Sequence, residues 1–228
     1  MSIDFSNLDQ RHYPTLDVIQ GYRLWSRFYE QGAEGHLVNG LLERLPPSTW
    51  NNLARVADLG CGTGRVGAWL RDRGTVELYG VDLSPEMLAR AADRNIYARL
   101  LQADVRATGL AGHSCTLVMS SLTACHLQDI GPLYAEAARL LHPGGVFVLL
   151  DYHPFFLLNG IPTHFRTPEG ETFAITNHVH LFSDHMRAAL DAGFSLQAMD
   201  EMVVAGNWKN YTKYLNRPIS FVLAWEAT

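Results

Sequence analysis

The stretch "VADLGCGTGRVG", Val56 to Gly67, carries a hydrophobic run into a carboxylate and then turns through four glycines. Gly62-Thr63-Gly64-Arg65-Val66-Gly67 satisfies G-x-G-x-x-G, a pattern in which glycines let a nucleotide pyrophosphate approach the backbone. Asp58, two residues before the turn, argues against that ligand. A carboxylate there repels a pyrophosphate and suits a cation, so the residues around the loop must decide what it holds.

Outward from this turn the chain alternates short apolar runs with helical periodicity. "RVADLG", "ELYGVDL", "ARLLQAD", "CTLVMSS" and "GGVFVLLDY" read as strands. "GRVGAWLRDRG", "SPEMLARAADR" and "IGPLYAEAARLL" read as the helices between them. Ser84 is expected to cap the second of these, with Pro85 at its first position and Glu86 in its first turn. Such alternation predicts parallel βαβ units and an open sheet with helices on both faces. A helix over "SDHMRAALDAGF", capped by Ser183, and two strands, "SLQAMDEMVV" and "PISFVLAWEA", close the chain. The segment between those strands is long for a hairpin loop.

Both flanks of the alternating core break its rhythm. Residues 1–50 are expected to form a helical lid, with Tyr22, Trp25, Phe28 and Tyr29 at helical spacing and a second helix over "HLVNGLLERL". Residues 152–182, rich in Pro, Gly, aromatics and histidine, read as an insertion capping an acceptor pocket. The whole chain is expected to be one domain.

In a doubly wound sheet the ligand lies beyond the carboxyl ends of the strands, near the switch point. Three successive strands end there in carboxylates. Asp58 suits an ammonium group, Asp82 can accept both hydroxyls of a ribose, and Asp104 can accept from an adenine amino group beside the Val105 backbone. Asp82 alone does not separate a dinucleotide from a sulfonium nucleoside, since both carry the ribose.

These motifs, in this order, resemble the class I S-adenosylmethionine-dependent methyltransferases. "VADLGCGTG", "GVDLSPEML", "LLQADV", "CTLVMSSLTACHL" and "LLHPGGVFVLLDY" resemble that family's five successive motifs, over roughly residues 54–151. The resemblance implies an α/β fold with a Rossmann-like, doubly wound seven-stranded sheet, mostly parallel with an antiparallel last strand, plus N-terminal helices and an inserted cap. The closing helix and two strands then suit the family's antiparallel sixth and seventh strands. It implies S-adenosylmethionine as cofactor, with Asp58, Gly60, Cys61 and Gly62 around its methionine part. Asp82 would take the ribose, Leu83 and Met87 the adenine faces, Asp104 and Val105 the adenine amino group, and Ser120 a place near the sulfonium. "GYRLWSRFYE" resembles the aromatic helix that folds over the cofactor in ubiquinone-biosynthesis-like members. Tyr22, Trp25 and Tyr29 match its aromatics, and Glu30 stands where Asp is usual.

Composition narrows the acceptor. The net charge is -5 and there is no Lys/Arg run, so nucleic acid is a poor default partner. The fourth motif reads "SSLT", not the Asn/Asp-Pro-Pro-Tyr/Phe of amino-methylating nucleic-acid enzymes. A small-molecule acceptor, aromatic or apolar, with O- or C-methylation, is the expectation. Cys61, Cys115 and Cys125 show no metal or disulfide spacing, and no leader or membrane span is legible, which predicts a cytoplasmic protein. Ten histidines are a surplus. His126, His153 and His180 are candidate bases. His178 and His180 with His153, His164 or Asp151 are a weaker metal set, and polar lining of the cap is the plain alternative. An NAD-dependent oxidoreductase and a non-catalytic ligand-binding protein remain rival readings.

Overall fold

The structure is a computed structural model and describes residues 3–31, 39–205 and 214–228. Seven strands, β1 (Arg55–Leu59), β2 (Glu77–Asp82), β3 (Arg99–Gln102), β4 (Cys115–Ser121), β5 (Leu141–Tyr152), β6 (Phe194–Val203) and β7 (Pro218–Ala227), form one sheet. Their order is β6-β7-β5-β4-β1-β2-β3. The pairs β1–β2, β2–β3, β1–β4 and β4–β5 are parallel, and β7 is antiparallel to both its neighbours, β5 and β6. An inverted strand between two others restores the direction of the outer one. Only β7 therefore opposes the sheet, which is the expected antiparallel last strand. The chain winds outward from β1 on both sides, so the carboxyl end of β1 faces the switch-point crevice.

Strand alternation sends side chains to two separate cores. On one side Val56, Leu78, Leu117, Met119, Val148 and Leu150 pack with Trp69 and Leu70 of α2 (Arg65–Asp72). On the other, Ala57, Leu59, Val118, Phe147, Leu149 and Trp225 pack with Leu133 and Tyr134. The latter pair belongs to α4 (Gly131–Leu140). Such double coverage explains why these strands read as continuous apolar runs. Helix α3 (Pro85–Ala92) starts as expected, with the Ser84 hydroxyl accepting from Met87 N at 3.2 Å. Helix α6 (Phe182–Asp191) starts one residue before the expected Ser183 cap. Leu181 is its N-cap, and the Asp184 carboxylate accepts from Leu181 N at 2.9 Å.

The lid and the insertion fold together. The N-terminal segment holds α1 (Val18–Trp25), preceded by the short strands Ile3–Asp4 and Thr15–Leu16, so it is not wholly helical. Thr15–Leu16 pairs with Thr172–Ile175, which pairs in turn with His164–Arg166. Ile3–Asp4 pairs with His178–Val179. The insertion also carries α5 (Pro154–Leu158). Asp17 caps α1, accepting from Gln20 N at 2.9 Å. The expected second helix lies partly outside the described residues.

Gly67 needs its missing side chain for packing. A Cβ there would lie 2.6 Å from the Tyr97 ring and 3.1 Å from Leu78 Cδ2. Gly67→Ala is expected to cost roughly 1–3 kcal/mol through forced repacking, read as a lowered urea midpoint with an unchanged m-value.

Candidate active site

The loop after β1 folds back over β2: Gly60 N and Cys61 N donate to Val81 O at 2.8 and 3.0 Å. Gly60 has φ +74°, and a Cβ on it would run into the Thr123 side chain. The loop thus closes against the turn after β4 only because this residue is glycine. Asp82 fixes the next contact. Its Oδ2 accepts from Gly62 N at 2.8 Å and its Oδ1 from Ser84 N at 2.9 Å, joining the glycine loop to the start of α3. Burial pushes the Asp82 carboxyl up from its ordinary value despite these donors.

Asp58 is 1% exposed and its hydrogen-bond donor is the Tyr97 hydroxyl, 2.8 Å from Oδ2. Desolvation outweighs that bond and raises its pKa to about 7. A buried carboxylate in this state gains most from a cation brought beside it. It faces a small cavity shared with Gly60, Cys61, Gly62 and Thr63, beside a larger one of about 240 Å³.

The larger cavity brings together many of the expected residues. Tyr22, Tyr29, Gly60, Gly62, Asp82, Leu83, Met87, Asp104 and Val105 line it, with His126. Four other candidates are elsewhere. Trp25 is buried behind the lid, stacked on Phe165 at 5.2 Å between centroids. Ser120 points into the core beneath α4, and its neighbour Ser121 lines both cavities. His153 caps α5, accepting from Phe155 N at 3.0 Å, and its Nε2 lies 2.8 Å from Glu201 Oε1. His180 donates from Nε2 to Leu127 O at 2.7 Å, and burial lowers its pKa. Neither histidine lines either of these two cavities. Among the described residues, no three His, Cys, Asp or Glu side chains converge as metal ligands.

His126 sits differently. Its Nδ1 is 2.7 Å from Thr176 O and its Nε2 2.9 Å from the Tyr22 hydroxyl, which ties the insertion to α1 across the cavity. It does not cap α4, where Asp129 Oδ1 accepts from Gly131 N. Burial lowers its pKa to about 4, so it is neutral. The lid is also clasped from the other side. Glu30 accepts from the Thr63 hydroxyl and from Arg94 Nη2 at 2.9 Å, and Arg65 lies 5.1 Å from the Tyr29 ring centre. These donors hold the Glu30 carboxyl below its ordinary value.

Three contributors escaped the sequence reading. Tyr97 reaches Asp58 from a loop with no periodic signal. Arg106 forks onto Asp104 at 2.9 and 2.6 Å, lowering its pKa, and also lines the cavity; the i, i+2 spacing was the available hint. Ser121 could have been found by alternation, since it shares a strand face with Leu117 and Met119.

Comparison with known proteins finds similarity to methyltransferases. Residues 57–149 match a methyltransferase-domain family model. By fold the chain is similar to S-adenosylmethionine-dependent methyltransferases. Malonyl-(acyl-carrier protein) O-methyltransferase of Enterobacter lignolyticus is 37% identical over 108 residues, 47% of this chain and 41% of that protein. Demethylmenaquinone methyltransferase of Thermus thermophilus is 29% identical over 60% of this chain and 64% of its own. The chain thus spans less than half of the first of these relatives. In fold, the chain superposes on an S-adenosylmethionine-dependent methyltransferase from Mesorhizobium loti with a TM-score of 0.67 at 24% identity. That match covers 86% of this chain and 99% of the other. No helix among the described residues is long and apolar enough to cross a membrane.

Asp58 gives this chain a testable pH signature. Its folded pKa is raised above the ordinary carboxylate value, so the folded state holds the extra proton between about pH 4 and pH 7. Stability of the ligand-free protein should therefore fall as pH rises through that window. Asp58→Asn should shrink that fall, leaving the share that the raised Asp82 and Asp151 carboxyls contribute, and stabilise the ligand-free protein by up to a few kcal/mol, roughly, at pH 8. Urea unfolding at pH 5 and pH 8 measures both.

Proposed function

We propose that the chain transfers a methyl group from S-adenosylmethionine to a small-molecule acceptor, by O- or C-methylation. The observation that carries this reading is Asp58, a buried carboxylate short of donors beside a glycine cradle. A dinucleotide pyrophosphate in that cradle would lie against two buried carboxylates, Asp58 and Asp82, which disfavours an oxidoreductase. When bound, the cofactor supplies an electrophilic methyl group on a sulfonium.

The chain's own residues then bind and orient. Asp58 takes the amino-acid ammonium, with Gly60, Cys61 and Gly62 around it. Asp82, whose oxygens each already accept one backbone N–H, keeps lone pairs for the ribose hydroxyls. Leu83 and Met87 flank the adenine, and Asp104, held by Arg106, takes its amino group. Tyr22, Tyr29, Val18, Leu122 and Leu127 give the cavity a mostly apolar wall that suits an aromatic or apolar acceptor and excludes water during displacement. The lid's ties through His126 and Glu30 support closure over both ligands.

Calorimetry should show S-adenosylhomocysteine binding in the micromolar range or tighter and no NAD binding. Asp82→Ala should abolish it, and retained affinity would overturn the assignment of Asp82. Because only ionised Asp58 pairs with the ammonium, affinity should rise from pH 5 to pH 8 with release of up to one proton on binding, and Asp58→Asn should bind weakly at both.

A further inference from the structure

The reaction end of the cavity has a definite hydrogen-bond polarity. Thr176 O can only accept, so the His126 nitrogen 2.7 Å from it, Nδ1, carries the ring proton. Burial keeps the ring neutral, which leaves Nε2 a bare lone pair. The Tyr22 hydroxyl, 2.9 Å away, must therefore donate to it. Its proton is spent, and the Tyr22 oxygen offers the cavity lone pairs only.

The turn that follows β4 repeats this polarity. The Thr123 hydroxyl donates to Ser121 O at 3.0 Å. Leu122 N donates to Leu150 O at 2.8 Å, Cys125 N to Asp151 Oδ2 at 2.8 Å, and His126 N to Thr123 O at 3.0 Å. Leu127 N donates to Ala124 O at 3.0 Å. Ser121 and Tyr29 also carry hydroxyls, but both residues lie on the side of the glycine loop, where they line both cavities. The guanidinium on the cavity wall, Arg106, is committed to Asp104. A carboxylate at this end would meet lone pairs and apolar carbon, an unpaired buried charge.

We infer that Tyr22 and His126 select an acceptor that brings its own proton, a phenol, enol or alcohol, and reject a carboxylate. The hydroxyl donates to the Tyr22 oxygen, with the Thr123 oxygen as a second acceptor. This rests on the methyltransferase reading and sharpens it, because a hydroxyl and a carboxylate of equal size and apolar body are then distinguished by donor count alone.

The test combines a tautomer measurement with matched probes. In protein labelled with ¹⁵N-histidine and saturated with S-adenosylhomocysteine, long-range ¹H–¹⁵N spectra should show His126 neutral and protonated on Nδ1 from pH 6 to pH 8. An Nε2–H tautomer or an imidazolium at pH 7 overturns the inference. Methyl transfer from labelled S-adenosylmethionine is then compared for 4-ethylphenol and 4-ethylbenzoate. Transfer to the phenol with none to the benzoate supports it, and the reverse overturns it. If neither probe is methylated, the tautomer alone decides. Tyr22→Phe, which keeps the ring, should lower kcat/KM for the phenol roughly tenfold or more while shifting S-adenosylhomocysteine affinity less than threefold. Failure of S-adenosylhomocysteine to bind the unmutated protein overturns the methyltransferase reading itself, and the tautomer of the ligand-free protein still reports separately on the polarity.

Discussion

Two buried carboxylates at the ends of adjacent strands, Asp58 on β1 and Asp82 on β2, set the conditions that the rest of the domain meets. Burying either is unfavourable, and both carry raised pKa values for that reason. The fold answers them unequally. Asp82 receives two backbone N–H groups and becomes the joint between the glycine loop and α3. Asp58 receives one phenol, and that phenol is in place only because Gly67 lets Tyr97 lie against α2. Asp82 is thus largely satisfied before any ligand arrives, and Asp58 is not. The difference assigns them different work: Asp82 preorganises the cradle, and Asp58 keeps an unmet electrostatic demand at its floor.

The lid meets that cradle at two points of different chemistry. Glu30, Thr63, Arg94 and Arg65 form a charged clasp over the glycine-loop side, where Glu30 and Arg94 are partly exposed and salt screens their attraction. Tyr22 and His126 form a neutral tie over the other side, among buried aromatics. A neutral tie suits the place where a sulfonium loses its charge, since a fixed cation there would oppose the bound cofactor. It also explains why His126 is held so far from protonation. Its hydrogen bond to the Thr176 carbonyl makes the insertion an active part of this wall, because moving that segment would release the proton on Nδ1 and with it the orientation of Tyr22.

The sheet was legible because its information is local. Apolar runs bounded by glycine and aspartate give strands, Ser84-Pro85 gives a helix start, and the strand-end carboxylates give the crevice. The strands within the lid and the insertion were not legible, because their order comes from pairing with each other. Thr15–Leu16 and Thr172–Ile175 are each too short to signal a strand alone, and they are about 160 residues apart in sequence. The same limit hid Tyr97, which acts on Asp58 through space, 39 residues away. Ser120 was misplaced by one residue for a different reason. A one-residue shift in a strand exchanges its faces, and the alternation through Leu117 and Met119 assigns the cavity to Ser121.

The histidine surplus shows how residue type misleads when partners are unknown. His164 contacts Pro162 O, His180 contacts Leu127 O, His185 meets the Tyr134 hydroxyl, and His153 bridges Phe155 N and Glu201. Segments with little regular ladder expose backbone carbonyls that need donors, and an imidazole supplies one N–H from a rigid, half-apolar ring that also packs against Phe182 and Phe221. The insertion is therefore held by the same hydrogen-bond logic that the sheet obtains from its strands, carried by side chains. Only where such a connector also borders the cavity, at His126, does its choice of tautomer reach the reaction site. Function there comes from the second nitrogen, which the structural bond to Thr176 leaves unprotonated.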